Sequence, residues 1–86
     1  MATYSVQIKR SAEKEIAGLP LATRRRVVER ISALADDPRP PGCSKLSGAD
    51  GYRIRQGAYR VVYTVDDSHV VVEVVRVAHR SDVYRR

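Results

Sequence analysis

Fifteen residues, GYRIRQGAYRVVYTV (51–65), carry Arg53, Arg55 and Arg60 in a stretch that otherwise reads as strand. Further along, VVRVAHRSDVYRR (74–86) supplies His79, Arg80, Tyr84, Arg85 and Arg86. Guanidinium groups bind phosphate oxygens bidentately and stack on planar rings, whereas an ammonium acts as a point charge. Tyrosine and histidine add groups that can donate or accept protons. The chemistry these residue types can do together is to hold a phosphate and move protons around it.

The whole chain leans the same way. Net charge is +6, with thirteen arginines against three lysines in 86 residues. A basic balance favours polyanions, although solubility alone produces it in many small domains. The alanine- and valine-rich composition is also what a GC-rich genome would give. Position therefore has to decide what the arginines are for.

The elements that position them follow from periodicity. In residues 3–9, Tyr4, Val6 and Ile8 alternate with Ser5, Gln7 and Lys9, which predicts a half-buried strand. Ser11 is a suitable N-cap for a short helix with Ala12, Ile16 and Leu19 on one stripe, and Gly18 and Pro20 end it. A second helix is predicted from about 21 to 35, with Val27, Val28, Ile31, Leu34 and Ala35 apolar and Arg24, Arg25, Arg26, Glu29 and Arg30 polar. Helices joined so tightly form an antiparallel hairpin that covers a sheet face. Residues 36–51 read as a loop, rich in proline and glycine. Strands at about 52–56, 58–66 and 69–78 follow. The order β-α-α-β-β-β gives an α+β fold: an N-terminal strand and a helical hairpin packed on an antiparallel sheet, in one domain spanning 1–86.

A two-residue turn at Gln56-Gly57 would put Arg53 directly opposite Arg60, and a turn at Asp67-Ser68 would put Asp66 opposite His69. Tyr52, Ile54, Tyr59, Val61, Tyr63, Val65, Val70, Val72 and Val74 then share the face that receives the helices. Arg53, Arg55 and Arg60 share the open face with Val62, Thr64, Val71 and Val75. Like charges opposed on a sheet are destabilising, and a domain this small has little stability in reserve. Either an anion binds there, or the arginines splay into solvent or pair with Glu73, which has the same parity. The open-face valines are a partner's contact surface or an expression of β-propensity. The strand at 69–78 leads its end back towards Tyr59 and Arg60, so His79, Arg80 and Tyr84 approach the cluster; alternatively the tail is a frayed basic terminus.

Two motifs, KLSGADGYRIRQGAYRVVYTVDD (45–67) and VVRVAHRSDVY (74–84), together with the strand–helix–helix opening, resemble the RelE/ParE superfamily of type II toxins, particularly its RelE-type mRNA endonuclease branch. The resemblance spans essentially the whole chain. It implies a microbial-RNase-like RelE fold that enters the ribosomal A site and cleaves mRNA there without metal. It implies catalytic roles for Arg60, Arg80 and Tyr84 and RNA binding by Arg53 and Arg55, and the tail residues His79, Arg85 and Arg86 are expected to add to that RNA binding. Two departures stand out: arginines occupy positions that are lysines in the best-known pattern, and no helix follows the tyrosine.

Arginine stabilises charge on phosphorus but stays protonated, so it is no ordinary base. If a lysine is the base in relatives, that role moves here to Tyr84 or His79. His79 also reads as a plain strand-end residue, and His69 as an inert turn residue. Two histidines and one distant cysteine, Cys43, make no metal-ligand set, so neither metal nor cofactor is expected. The same lone cysteine excludes an internal disulfide. No segment has signal-peptide or membrane-span character, which places the chain in the cytoplasm, away from membranes. The partners implied are a RelB-type antitoxin, more acidic and partly disordered until bound, together with the 70S ribosome and mRNA. The toxin–antitoxin complex is expected to bind its own operator DNA through the antitoxin. Two alternatives remain open: a ParE-like inhibitor of DNA gyrase, which shares the fold without needing the cluster, and a non-catalytic nucleic-acid-binding module.

Overall fold

The computed structural model describes residues 3–83, and side chains as far as Ser81. Strand β1 (Ser5–Ile8) leads into helices α1 (Arg10–Ala17) and α2 (Leu21–Ala33). Strands β2 (Ser44–Lys45), β3 (Tyr52–Gln56), β4 (Tyr59–Asp66) and β5 (Val71–His79) follow, then a single helical turn, α3 (Arg80–Val83). The five strands form one sheet in the order β1-β5-β4-β3-β2. The β2–β3–β4–β5 run is antiparallel, and β1 adds to it parallel to β5, which makes the sheet mixed.

The helices cover one face, α1 over β5 and α2 over β3. Ala12, Ile16, Leu19, Val27, Ile31 and Leu34 meet Ile54, Val61, Tyr63, Val72, Val74 and Val77 in a single core. Each large aliphatic side chain so buried contributes about 1.5–3 kcal/mol. The Tyr63 hydroxyl, fully buried, donates to the Pro38 carbonyl at 2.8 Å and so ties the proline-rich loop to the core. Gly51 opens β3 with φ of +127°, and a Cβ there would meet the Tyr63 carbonyl oxygen at 2.9 Å. No other residue fits that approach. Among the described residues no helix is long and apolar enough to cross a membrane.

Several local expectations are corrected. Helix α1 starts two residues early, with Lys9 rather than Ser11 at its N-cap and no side-chain cap. Lys9 still pairs with the sheet, its N–H donating to the Val74 carbonyl, while its own carbonyl accepts from Glu13. The sheet bond fixes the helix start where a capping side chain otherwise would. Helix α2 ends two residues short of Ala35, and Val28 points into solvent. The loop at 36–51 contains the two-residue strand β2, too short to show in a sequence pattern.

The hairpin loop is Gly57-Ala58, with Gly57 at φ of +61°, not Gln56-Gly57. A glycine in the first loop position is what a type II′ turn requires. This moves the pairing by two residues, so the faces survive and the partners change: Arg55, not Arg53, lies opposite Arg60. The second turn spans residues 67–70 and Asp66 pairs with Val71. The Asp66 carboxylate stabilises that longer turn by accepting from the N–H groups of Ser68 and His69 and from the Ser68 hydroxyl. A bulge at Val75 then inverts the parity of the rest of β5. Val77 therefore faces the core, and Arg76 joins the row of Val62 and Arg53.

Candidate nucleic-acid interface

Arg55, Arg60 and Ala78 form one row across β3, β4 and β5. The next row towards the sheet's middle is Arg53, Val62 and Arg76. Strand parity places both rows on the face away from the helices. Beyond them, Gln7, Glu73 and Thr64 make a row that carries the one acid on this face of β5. Glu73 thus stands on the face its parity predicts, two rows from Arg55 and one from Arg53.

Exposure differs sharply within the cluster. Arg55 is exposed, because β2 reaches only as far as Arg53 and leaves it at a sheet edge. Arg53 is half-buried. Arg60, expected in the open, is only 4% exposed. It stands on the middle strand with Arg55 on one side and Ala78 on the other. Among the described residues neither Arg53 nor Arg55 makes an ion pair. Arg76, absent from the sequence-based site, reaches Glu15 across 3.9 Å. The bulge that puts it on this face has no glycine to mark it in VVEVVRVAH.

The return of the chain is held by a backbone bond. The Arg80 N–H donates to the Ala58 carbonyl at 2.7 Å, which ties the start of α3 to the tip of the β3–β4 hairpin. Arg80, exposed, is thereby brought to the end of the sheet that carries Arg55 and Arg60. His79 lies opposite Tyr59, and the register gives both to the helix side of the sheet, not the arginine side. Their rings meet edge to face with centroids 5.3 Å apart. The Ser81 N–H donates to His79 Nδ1 at 3.2 Å, and the Ser81 hydroxyl lies 2.8 Å from the same nitrogen. A backbone N–H can only donate, so Nδ1 is an acceptor and the neutral ring carries its proton on Nε2. His79 is in effect the cap of α3. Tyr84, Arg85 and Arg86 lie outside the described residues.

The opposite end of the sheet is built differently. Arg39 binds Asp67 with both terminal nitrogens, at 3.2 and 2.8 Å, and donates through Nε to the Tyr52 hydroxyl at 3.0 Å. The Tyr4 hydroxyl donates to Asp67 at 2.6 Å. The Arg39 hydrogen bonds hold the Asp67 carboxyl below the usual carboxylate range, with Tyr4 adding to the effect. Asp66 is lowered to about 2, chiefly by the Ser68 hydroxyl and then by His69, whose Nδ1 lies 2.8 Å from its Oδ2. This is a charge-compensated end, and its groups are spent on each other.

A small α+β domain with arginines of adjoining strands side by side on the face of its sheet away from the helices has clear relatives. The family model for the ParE toxin of the type II toxin–antitoxin system parDE matches residues 6–84. Toxin RelG of Mycobacterium tuberculosis is 34% identical over 96% of this chain and 98% of its own length. Toxin RelE of the same organism is 34% identical over 95% of this chain and 87% of its own. Among solved structures, the M. tuberculosis toxin–antitoxin complex RelBE2 matches with a TM-score of 0.82 at 32% identity, covering 95% of this chain and 97% of that one. The RelE–RelB complex of the archaeon Pyrococcus horikoshii matches at 0.78 and 32%, covering 91% and 96%. The class is that of type II toxin–antitoxin toxins. This chain belongs to the RelE/ParE superfamily, and its fold is the RelE fold.

Proposed function

We propose that the chain is a ribosome-dependent endoribonuclease that cleaves mRNA in the A site and so blocks translation. The observation that carries this reading is the arginine row: Arg55 paired with Arg60, and Arg80 tied to the same hairpin tip by its own N–H. Opposed like charges cost stability and are worth keeping where a phosphate occupies them.

In this reading the RNA's own 2′-hydroxyl loses its proton to a base, attacks the adjacent phosphorus and expels the 5′-oxygen, which takes a proton from an acid. The products are a cyclic phosphate and a free 5′-hydroxyl, and no metal takes part. Arg60 and Arg80 stabilise the charge that builds on the phosphoryl oxygens. Arg53 and Arg55 hold the strand, with Arg85 and Arg86 adding non-specific attraction. The proton transfers fall to Tyr84, whose phenol can donate or accept a proton. His79 is the weaker candidate, because its Nδ1 is already an acceptor for Ser81 and its ring stands on the helix side. An antitoxin of the RelB type is the partner, as in the complexes of its structural relatives. The toxin's role at the operator is carried through that antitoxin.

The family match to a ParE toxin supports a second reading, inhibition of DNA gyrase. Expression of the chain alone separates the two. Primer extension on cellular mRNA should show new 5′ ends within codons; intact mRNA with blocked DNA supercoiling would establish the gyrase reading instead.

A further inference from the structure

On the helix side of the same sheet end lies a cleft of about 370 Å3, lined among others by Lys14, Glu15, Leu19, Tyr59, Arg76 and His79. β1 stops at Ile8 and leaves the end of β5 without a strand neighbour on that side. Glu15 takes that place, accepting from the Val77 N–H at 2.8 Å. Tyr59 also walls a second cleft of about 220 Å3, beside Arg26 and Gln56. An edge-to-face pair such as Tyr59 and His79 covers at most one face of one ring, so ring faces remain for a third planar group.

The charges around these rings narrow the ligand. Lys14, Arg76 and Arg26 attract a polyanion to the rims. The Glu15 carboxylate on the wall opposes a phosphate inside the cleft and would accept from the N–H edge of an uncharged base. Chain connectivity supplies the link to the arginine face. Tyr59 precedes Arg60 and His79 precedes Arg80, so each aromatic points to one side of the sheet and its neighbour to the other or to its rim. The tip between the faces is Gly57-Ala58, with no side chain larger than a methyl group to obstruct a strand passing over it.

We propose that the Tyr59–His79 cleft is a nucleobase subsite, which stacks one base of an RNA strand whose phosphates lie on the arginine row across the hairpin tip. The choice of RNA rests on the ribonuclease reading above. The subsite itself is carried by the ring pair, the cleft and the carboxylate wall.

The test uses the full chain and two probes: a 2′-O-methyl hexanucleotide, which cannot be cut by its own hydroxyl, and the same backbone without bases. In NMR titrations the intact oligonucleotide should shift the Tyr59 and His79 ring resonances together with the Arg55 side chain. The abasic strand should shift Arg55 alone. Tyr59→Phe should keep the affinity, and Tyr59→Leu should weaken it by roughly 5- to 100-fold, the worth of one base–aromatic stack. Should the leucine variant fail to fold, the ring shifts of the unaltered chain decide. Oligonucleotide shifts at Arg55 with Tyr59 and His79 unmoved would overturn the subsite and leave the ribonuclease reading intact. Equal ring shifts from the abasic strand would also overturn it, as would ring shifts seen only with an antitoxin peptide. No shift on either face removes both readings.

Discussion

The two ends of the sheet use arginine in opposite ways. At one end Arg39 meets Asp67 bidentately, lies over the Tyr52 ring at 5.2 Å and donates to its hydroxyl. Arg39 and Asp67 answer each other's charge there. At the other end Arg55 faces Arg60 across the hairpin, Arg80 is brought alongside, and neither Arg53 nor Arg55 has an acid among the described residues. Both ends carry arginine, so the residue type alone distinguishes nothing. What differs, among the described residues, is whether an acid meets the arginine: Asp67 meets Arg39, and none meets Arg53 or Arg55. The compensated end is a fastening between loop and sheet.

The largest effect should come from breaking the end that carries Arg55 and Arg80. Arg80→Ala should lower single-turnover cleavage on programmed ribosomes by about 10²–10³, the cost of one donor to a developing oxyanion, and Arg55→Ala should lower it through a weaker hold on the RNA strand. Both side chains are exposed, so thermal stability should hold. Arg60→Ala is the poorer probe, because a side chain only 4% exposed leaves a hole and confounds activity with folding. Arg39→Ala, the matching change at the compensated end, should leave the cleavage rate alone. A rate loss there equal to that of Arg55→Ala would erase the distinction between the ends.

Tyr84→Phe separates proton transfer from charge stabilisation. Loss of a general acid or base costs about 10²–10⁴ in rate with binding preserved. A full-speed Tyr84→Phe enzyme alongside a dead His79→Gln one would transfer the role to the histidine.

The compensated end should answer in stability. Tyr63→Phe removes the buried bond to the Pro38 carbonyl and leaves that acceptor unsatisfied, for about 1–3 kcal/mol. Each kcal/mol is worth about 4–8 °C in a domain of this size. Calorimetry should show the drop while cleavage by the folded fraction is unchanged.

How far these contrasts could be read from sequence depends on the kind of information each needs. Which residues share a face follows from parity alone, and parity survives a two-residue shift of the hairpin. Arg53, Arg55 and Arg60 were therefore placed together correctly, although their pairing was not. The pairing depends on which residue takes the positive φ, and Gly57 serves equally as the second loop residue or the first. The bulge at Val75 sits in an unbroken run of β-formers, so the position of Arg76 was invisible. The burial of Arg60 on the face away from the helices has no signal in strand parity. The compensated end was missed altogether, because Arg39 lies in a loop 28 residues from Asp67 and no periodicity connects them.

The smallest effect concerns pH. Asp66 has its carboxyl lowered to about 2 by the Ser68 hydroxyl and His69, so the unfolded chain binds its proton first as pH falls. Its contribution is therefore complete above the ordinary aspartate pKa of about 4 and lost as pH drops towards 2. The group is exposed, so solvent screens it and the contribution is small. Asp66→Asn can still accept the Ser68 and His69 N–H groups, but it cannot carry the charge that favours the turn. Melting temperatures of the two proteins should differ by a degree or two at most near pH 6 and converge between about pH 4 and 2. A gap that persists unchanged at pH 2 would mean that the turn depends on the shape of the aspartate and not on its charge. The contrast between the two ends would then rest on Arg39 and Asp67 alone.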